Sequence, residues 1–290
     1  MNFFYTLLLS LSLTFMAAPA TAKAPVWKVS KGDDYVYLGG TIHLLSKDDY
    51  PLPGAFETAY KNVDDIVLET DAAALAAPEV QARVLNAISY QDHRALSNVL
   101  DRGTYRQLDA LLKSKGIPIA VFDRFTPAGA MMALTQFELQ RQGLIGGDGV
   151  DAHFGRRATR DNKESLFLES FEQQLSFIES MNQLEPNLVV KSGINDIEKL
   201  ETLWADLLRA WRTGNLDQLE TIGIVAMKRD FPSMYQTILV KRNDDWLKQI
   251  DIMMKNEGKE FILVGALHMA GADGLIQRLK TTGYTVHQLD

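Results

Sequence analysis

The sequence predicts an α/β protein: a mixed sheet whose core strands run parallel, layered by helices and carrying a large helical insertion. Three observations predict it. Short apolar runs suited to sheet cores stand near both ends of the chain, at Tyr35-Val36-Tyr37-Leu38, Ile66-Val67-Leu68 and Phe261-Ile262-Leu263-Val264. A helix-period segment separates the first two, and a right-handed crossover makes such strands parallel. Most of the chain between the second and third runs has helical spacing, punctuated by Gly and Pro.

Taken in order, residues 1–22 carry no charged side chain, hold an apolar stretch around Leu7–Leu13, and end in Ala20-Thr21-Ala22. That is the pattern of a secretory signal peptide with cleavage after Ala22. Ser10, Ser12 and Thr14 interrupt the stretch, which falls short of the roughly 20 apolar residues that span a bilayer. The expected product is a periplasmic or secreted protein, residues 23–290, with no stable membrane span. Trp27-Lys28-Val29 and Tyr35–Leu38, around Lys31-Gly32-Asp33-Asp34, read as a β-hairpin. Phe56, Ala59, Tyr60 and Val63 mark a helix face, and Ile66–Leu68 a strand ending in Glu69-Thr70-Asp71.

The helical excursions lie near 72–160 and 194–257. In the first, helices are expected over Pro78–Ser89, Thr104–Lys115 and Pro127–Gln142. In the second, three helices are expected, with breaks at Gly214-Asn215 and Phe231-Pro232. Leu166-Phe167-Leu168 is a short strand candidate between them. After Phe261–Val264 come a helix over Asp273–Thr282 and a last strand at Tyr284-Thr285-Val286.

Lys and Arg number 30 against 37 Asp and Glu, a formal net charge of −7, which argues against nucleic acid as a partner. The chain has no Cys, so disulfides, thiolate metal sites, a Cys nucleophile and a lipoprotein anchor are excluded. Gly-x-Ser-x-Gly, His-Glu-x-x-His and the phosphate-binding P-loop pattern are also absent.

One pattern occurs twice. Gly40-Thr41-Ile42-His43 and Gly265-Ala266-Leu267-His268 are both Gly-x-x-His, each directly after a core strand. In open α/β sheets ligands gather outside the carboxyl ends of the strands. His43, His268 and the strand-end Glu69 can therefore converge on one cleft without any local ligand spacing. Imidazole nitrogen with carboxylate oxygen suits a divalent ion such as Mn, Fe, Co or Zn. Asp151 and His153 read as packing or surface residues in a helix, while His93 and His287 carry no assigned task.

The opening Trp27-Lys28-Val29, Leu38–His43, Tyr50-Pro51-Leu52-Pro53, Leu68-Glu69-Thr70-Asp71, Gly149-Val150-Asp151, Leu168-Glu169-Ser170-x-Glu172-x-Gln174, Arg242-Asn243-x-x-Trp246 and Val264–His268 together resemble the TraB/GumN family, in order and across the whole mature chain. That family is related to the Tiki metalloproteases and to a wider erythromycin-esterase-like and ChaN-like group. The resemblance implies a metal held by His43, Glu69 and His268, with Glu169, Arg242 and Asn243 as further polar residues of the site. The expected activity is metal-assisted hydrolysis of a peptide or protein substrate, with Glu69 either completing the metal shell or taking a proton from water. Arg242 reads either as a clamp for a carboxylate or oxyanion, or as a solvated helix residue beside Asp244 and Asp245. Glu169 reads as a partner orienting an imidazole, or as a capping or salt-bridged carboxylate. The ChaN-like relatives imply the alternative, a non-catalytic protein that binds haem or a peptide on the same scaffold.

Overall fold

Among the described residues eight strands follow one another: β1 (Val26–Lys31), β2 (Asp34–Thr41), β3 (Leu44–Leu45), β4 (Asp65–Leu68), β5 (Ile145–Gly146), β6 (Ser165–Phe167), β7 (Glu260–Gly265) and β8 (Thr285–Gln288). They come from a computed structural model describing residues 23–71, 73–146, 149–256 and 258–290. The expected leader lies outside the described residues. Six strands form one sheet in the order β6-β4-β7-β2-β1-β8. Its core is parallel, β2 to β7, β7 to β4 and β4 to β6, and β1 pairs antiparallel with β2 and β8. The mixed α/β sheet read from the sequence is thus present.

β2 and β4 are parallel as the crossover rule requires, but they are not neighbours. β7, almost two hundred residues further on, lies between them, pairing Gly39 with Leu263 on one side and Leu68 with Leu263 on the other. Strand alternation then sends successive β7 residues to opposite faces. Phe261 and Leu263 join Phe56, Phe154 and Trp211 on one face. Ile262 and Val264 join Trp246, Ile250 and Leu275 on the other. Both faces are helix-covered, which is why β7 is apolar over Phe261–Val264 rather than alternating.

The helical insertion forms a core of its own. Leu96, Leu108, Leu112, Phe122, Leu134 and Val190 cluster away from the sheet. Its helices, Arg102–Ser114, Pro127–Arg141 and Pro186–Glu198, come from both excursions. The third begins earlier than the sequence spacing suggests. Pro186 occupies its first turn, and the Glu185 carboxylate accepts from Asn187 N and Leu188 N. The breaks expected at Gly214 and Phe231-Pro232 are present, with Gly214 at φ +56°. Two π-helical turns were not anticipated, Glu220–Ile224 and Gln236–Val240. Nor was the β3–β5 ribbon beside His43, whose strands are too short to show a period. Among the described residues no helix is long and apolar enough to cross a membrane.

One bond ties the long helix Leu200–Arg212 to the end of β2. Trp211, fully buried, donates Nε1–H to Gly40 O at 2.7 Å. Trp211→Phe keeps the ring but strands that carbonyl, so a loss of about 1–3 kcal/mol is expected, read as a lower urea midpoint at unchanged slope.

Candidate functional site

The carboxyl ends of β2, β7, β4 and β6 share one edge, and each delivers a polar residue just beyond it. Past β2 the chain reaches His43. Here the helix Val150–Asp161 arrives end-on: Val150 N donates to Ile42 O at 3.0 Å, and Asp151 Oδ1 stands 3.1 Å from His43 Nδ1. Gly149 permits the approach, because a Cβ there would lie 2.3 Å from His43 O. Past β7 comes a tight turn, Ala266–Met269, that buries His268. Past β4 comes Glu69, and past β6 comes Glu169, whose N–H donates to Glu69 O at 2.9 Å. All four side chains are the expected ones.

Arg242 joins them from the other side. It is the second residue of the helix Lys241–Met253, which follows directly on the second π turn, and is buried rather than solvated. Its Nε and Nη2 donate to the two oxygens of Glu169 at 2.8 and 2.9 Å, and Nη2 donates to Glu69 Oε2 at 2.6 Å. Nη1 donates to Ile238 O at 3.3 Å and to His268 Nε2 at 3.2 Å. A guanidinium has five N–H groups, and these five contacts use them all. In this arrangement no donor is left over for a substrate carboxylate or oxyanion. The ring of Trp246 and that of Phe177 lie 4.7 and 5.0 Å from the guanidinium carbon.

The same network fixes the state of His268. Asn243 Nδ2 donates to His268 O and Asp273 O, so its Oδ1 is the acceptor that meets His268 Nδ1 at 2.7 Å. Nδ1 therefore carries the proton and Nε2 the lone pair. Burial and the nearby Arg242 push the His268 pKa down to about 3, so the ring is neutral at physiological pH. Glu69 is the opposite case. Burial alone would raise its pKa, but Arg242, His43 and the Gly265 N–H, 2.6 Å from Oε1, outweigh it and hold the carboxyl at about 2. A Cβ on Gly265 would crowd that oxygen at 3.3 Å. Burial raises Glu169, with Arg242 and the 2.5 Å bond from Gln174 Nε2 pulling the other way. Enclosure by the surrounding chain lowers the His43 pKa, yet the Asp151 and Glu69 carboxylates overcome it and raise it to about 9, although the side chain keeps 61% of its surface open to the cleft.

His43 and Glu69 open onto a cleft of about 1020 Å³, bounded by the helix Val150–Asp161 and the sheet edge. The His43 side chain is 61% exposed there, whereas His268 is buried beside Arg242. Among the described residues, no group of three or more His, Asp or Glu side chains is arranged to hold a metal ion as they stand. The expected ligands share an edge, but Arg242 already engages His268 Nε2 and Glu69 Oε2.

Three participants were given no part in the site by the sequence reading, although Asp151, Gln174 and Trp246 stand in the segments that carry the resemblance: Asp151 facing His43, Gln174 on Glu169, and the aromatic bed of Trp246 and Phe177 under Arg242. Only Asp151 had a usable local signal, as the second residue of a helix entered through glycine. His153 packs on Tyr50 and Phe154, in line with its expected packing role.

The chain is thus an α/β protein with two Gly-x-x-His turns, two carboxylates and a buried Arg-Asn pair gathered at one end of its parallel sheet. The comparisons give its family. The model of the TraB/PrgY/gumN family matches residues 25–288, and the chain belongs to that family. It is similar to the uncharacterized protein YbaP of Escherichia coli strain K12, 23% identical over 253 residues, covering 86% of this chain and 89% of the relative. YbaP of Shigella flexneri matches over the same length at the same identity. No solved structure matches.

Arg242→Met should cost about 3–5 kcal/mol, because it leaves Glu69 and Glu169 facing each other without their counter-charge. Arg242→Lys should recover only part of this, since one ammonium cannot reach five acceptors on a planar fork. Guanidinium chloride unfolding of the three proteins checks both expectations.

Proposed function

We propose that this chain is an exported, metal-assisted hydrolase of amide bonds in peptides or proteins. The supporting observation is the prepared state of two of the donors. His268 is neutral with its lone pair on Nε2, held by Asn243 as metal-ligating histidines are held by a neighbouring polar group. Glu69 is ionised; His43, its pKa raised to about 9 beside Asp151 and Glu69, carries a proton at neutral pH and would become a donor only on giving it up. The donor set thus fits a divalent transition ion by chemistry, with His43, Glu69 and His268 as the residues that would hold it. When bound, such an ion supplies Lewis acidity and lowers the pKa of water.

The chain's own residues do the rest. Asn243 keeps the His268 tautomer, and Arg242 keeps the buried carboxylates charged and apart. Glu69 is placed to accept a proton at a carboxylate oxygen. Asp151 orients the His43 ring from the Nδ1 side. Export is part of the same proposal and rests on the leader pattern at 1–22.

A second reading, a binding protein for a peptide or haem without turnover, is favoured by one observation. Arg242 already satisfies the buried carboxylates and His268 without any ion. The two readings separate in one experiment: purified protein with added Mn, Co, Fe or Zn, assayed for metal content and for cleavage of peptides by mass spectrometry. The hydrolase reading expects turnover that chelation abolishes, and a loss of at least about a hundredfold in His43→Ala and His268→Ala. Tight peptide or haem binding with no cleavage under any of the four ions would establish the binder instead.

A further inference from the structure

β6 is an edge strand, and its outer side is open. Ile66 N donates to Glu164 O and Leu168 N donates to Leu68 O, each at 3.0 Å, so the even-numbered residues of this segment turn their backbone groups toward β4. In a parallel ladder the intervening residues point the other way. Ser165 and Phe167 therefore direct N–H and C=O away from the sheet, and among the described residues these groups have no hydrogen-bond partner. The strand carries neither charge nor proline, the usual devices that blunt an exposed edge. Both residues line the same cleft as His43 and Glu69, and Phe167 is 42% exposed.

The register adds a second point. Ser165 pairs with Ile66 and Phe167 with Leu68, so their side chains share the sheet face of Leu68 and Leu263, which also line the cleft. A strand laid against this edge would run beside Ser165 and Phe167 and set one of its side chains against the exposed Phe167 ring. Beyond Phe167 the segment runs two residues, roughly 3.3 Å each, to Glu169 and the Arg242 network.

We infer that the cleft takes its substrate as an extended peptide added to the free edge of β6, main chain to main chain. The inference rests on the peptide-hydrolase reading for what happens after binding, not for binding itself. It predicts little dependence on substrate side chains other than the one beside Phe167, and a strict need for the substrate's own backbone N–H groups.

The test uses the purified protein with a pool of fluorescein-labelled, unstructured decapeptides, and a matched pool with alternate backbone nitrogens methylated. Binding is read by polarisation and cleavage by mass spectrometry. The unmodified pool should bind and the methylated pool should bind at least about tenfold more weakly, a comparison made on the wild-type protein. Ser165→Pro and Phe167→Pro each remove an outward N–H while sparing the ladder to β4, and each should weaken binding about fivefold, whereas Ser165→Ala and Phe167→Leu should not. Equal binding of both pools, with proline variants unaffected, overturns the edge mode even if peptides are cut. Edge-dependent binding without cleavage when Mn, Co, Fe and Zn are each supplied upholds the inference and removes the hydrolase reading. A dimer that the proline substitutions dissociate, with no peptide bound, makes the edge a self-association seam and overturns the inference.

Discussion

The site depends on a buried cation. Arg242 spends five donors on acceptors from the ends of β4, β6 and β7 and from the π turn before its helix. Two carboxylates brought together under cover would otherwise repel and lose hydration. With the guanidinium between them, each strand end gains a charged reason to stop where it does. The π turn just before Arg242 belongs to this arrangement: Arg242 Nη1 bonds the carbonyl of Ile238, inside that turn. π turns commonly mark functional sites because they shift side chains around the helix axis relative to an α-helical phase.

That cation would have nothing to gather without the strand order. Placing β7 between β2 and β4 brings the turn that carries His268 to the same end of the sheet as His43 and Glu69, although it follows them by some two hundred residues. Close approach at the edge then needs small residues. Gly149 lets the Val150–Asp161 helix touch the His43 backbone, and Gly265 lets the Glu69 carboxylate reach the β7 amide. The same order leaves β6 outermost, with one side of its backbone facing the cleft rather than another strand. The histidine–carboxylate end of the sheet and a free strand edge therefore meet at one corner.

Much of the fold was legible because its signals are local. Apolar runs, Gly and Pro breaks and capping residues announced the hairpin, the core strands and the main helices within a few residues of where they lie. The paired Gly-x-x-His turns were legible too, since glycine after an apolar strand has a backbone reason and a following histidine a chemical one. Arg242 was readable only as an ambiguity. Beside Asp244 and Asp245 it looks like a solvated helix residue, and nothing nearby in sequence tells that its partners are Glu69 and Glu169. Asp151 was assigned to packing for the same reason, its partner being more than a hundred residues away.

By itself, then, the sequence determined which residues begin and end the elements, that the sheet is parallel at its core, and which side chains have the chemistry of a site. Only the tertiary structure decided that β7 sits centrally, that Arg242 is buried and saturated, that His268 is neutral with its proton on Nδ1, and that β6 is left open on one side. The division has a physical cause. Periodicity and caps are written by bonds that span three or four residues, whereas strand order, burial and protonation depend on which distant groups share a low-dielectric space.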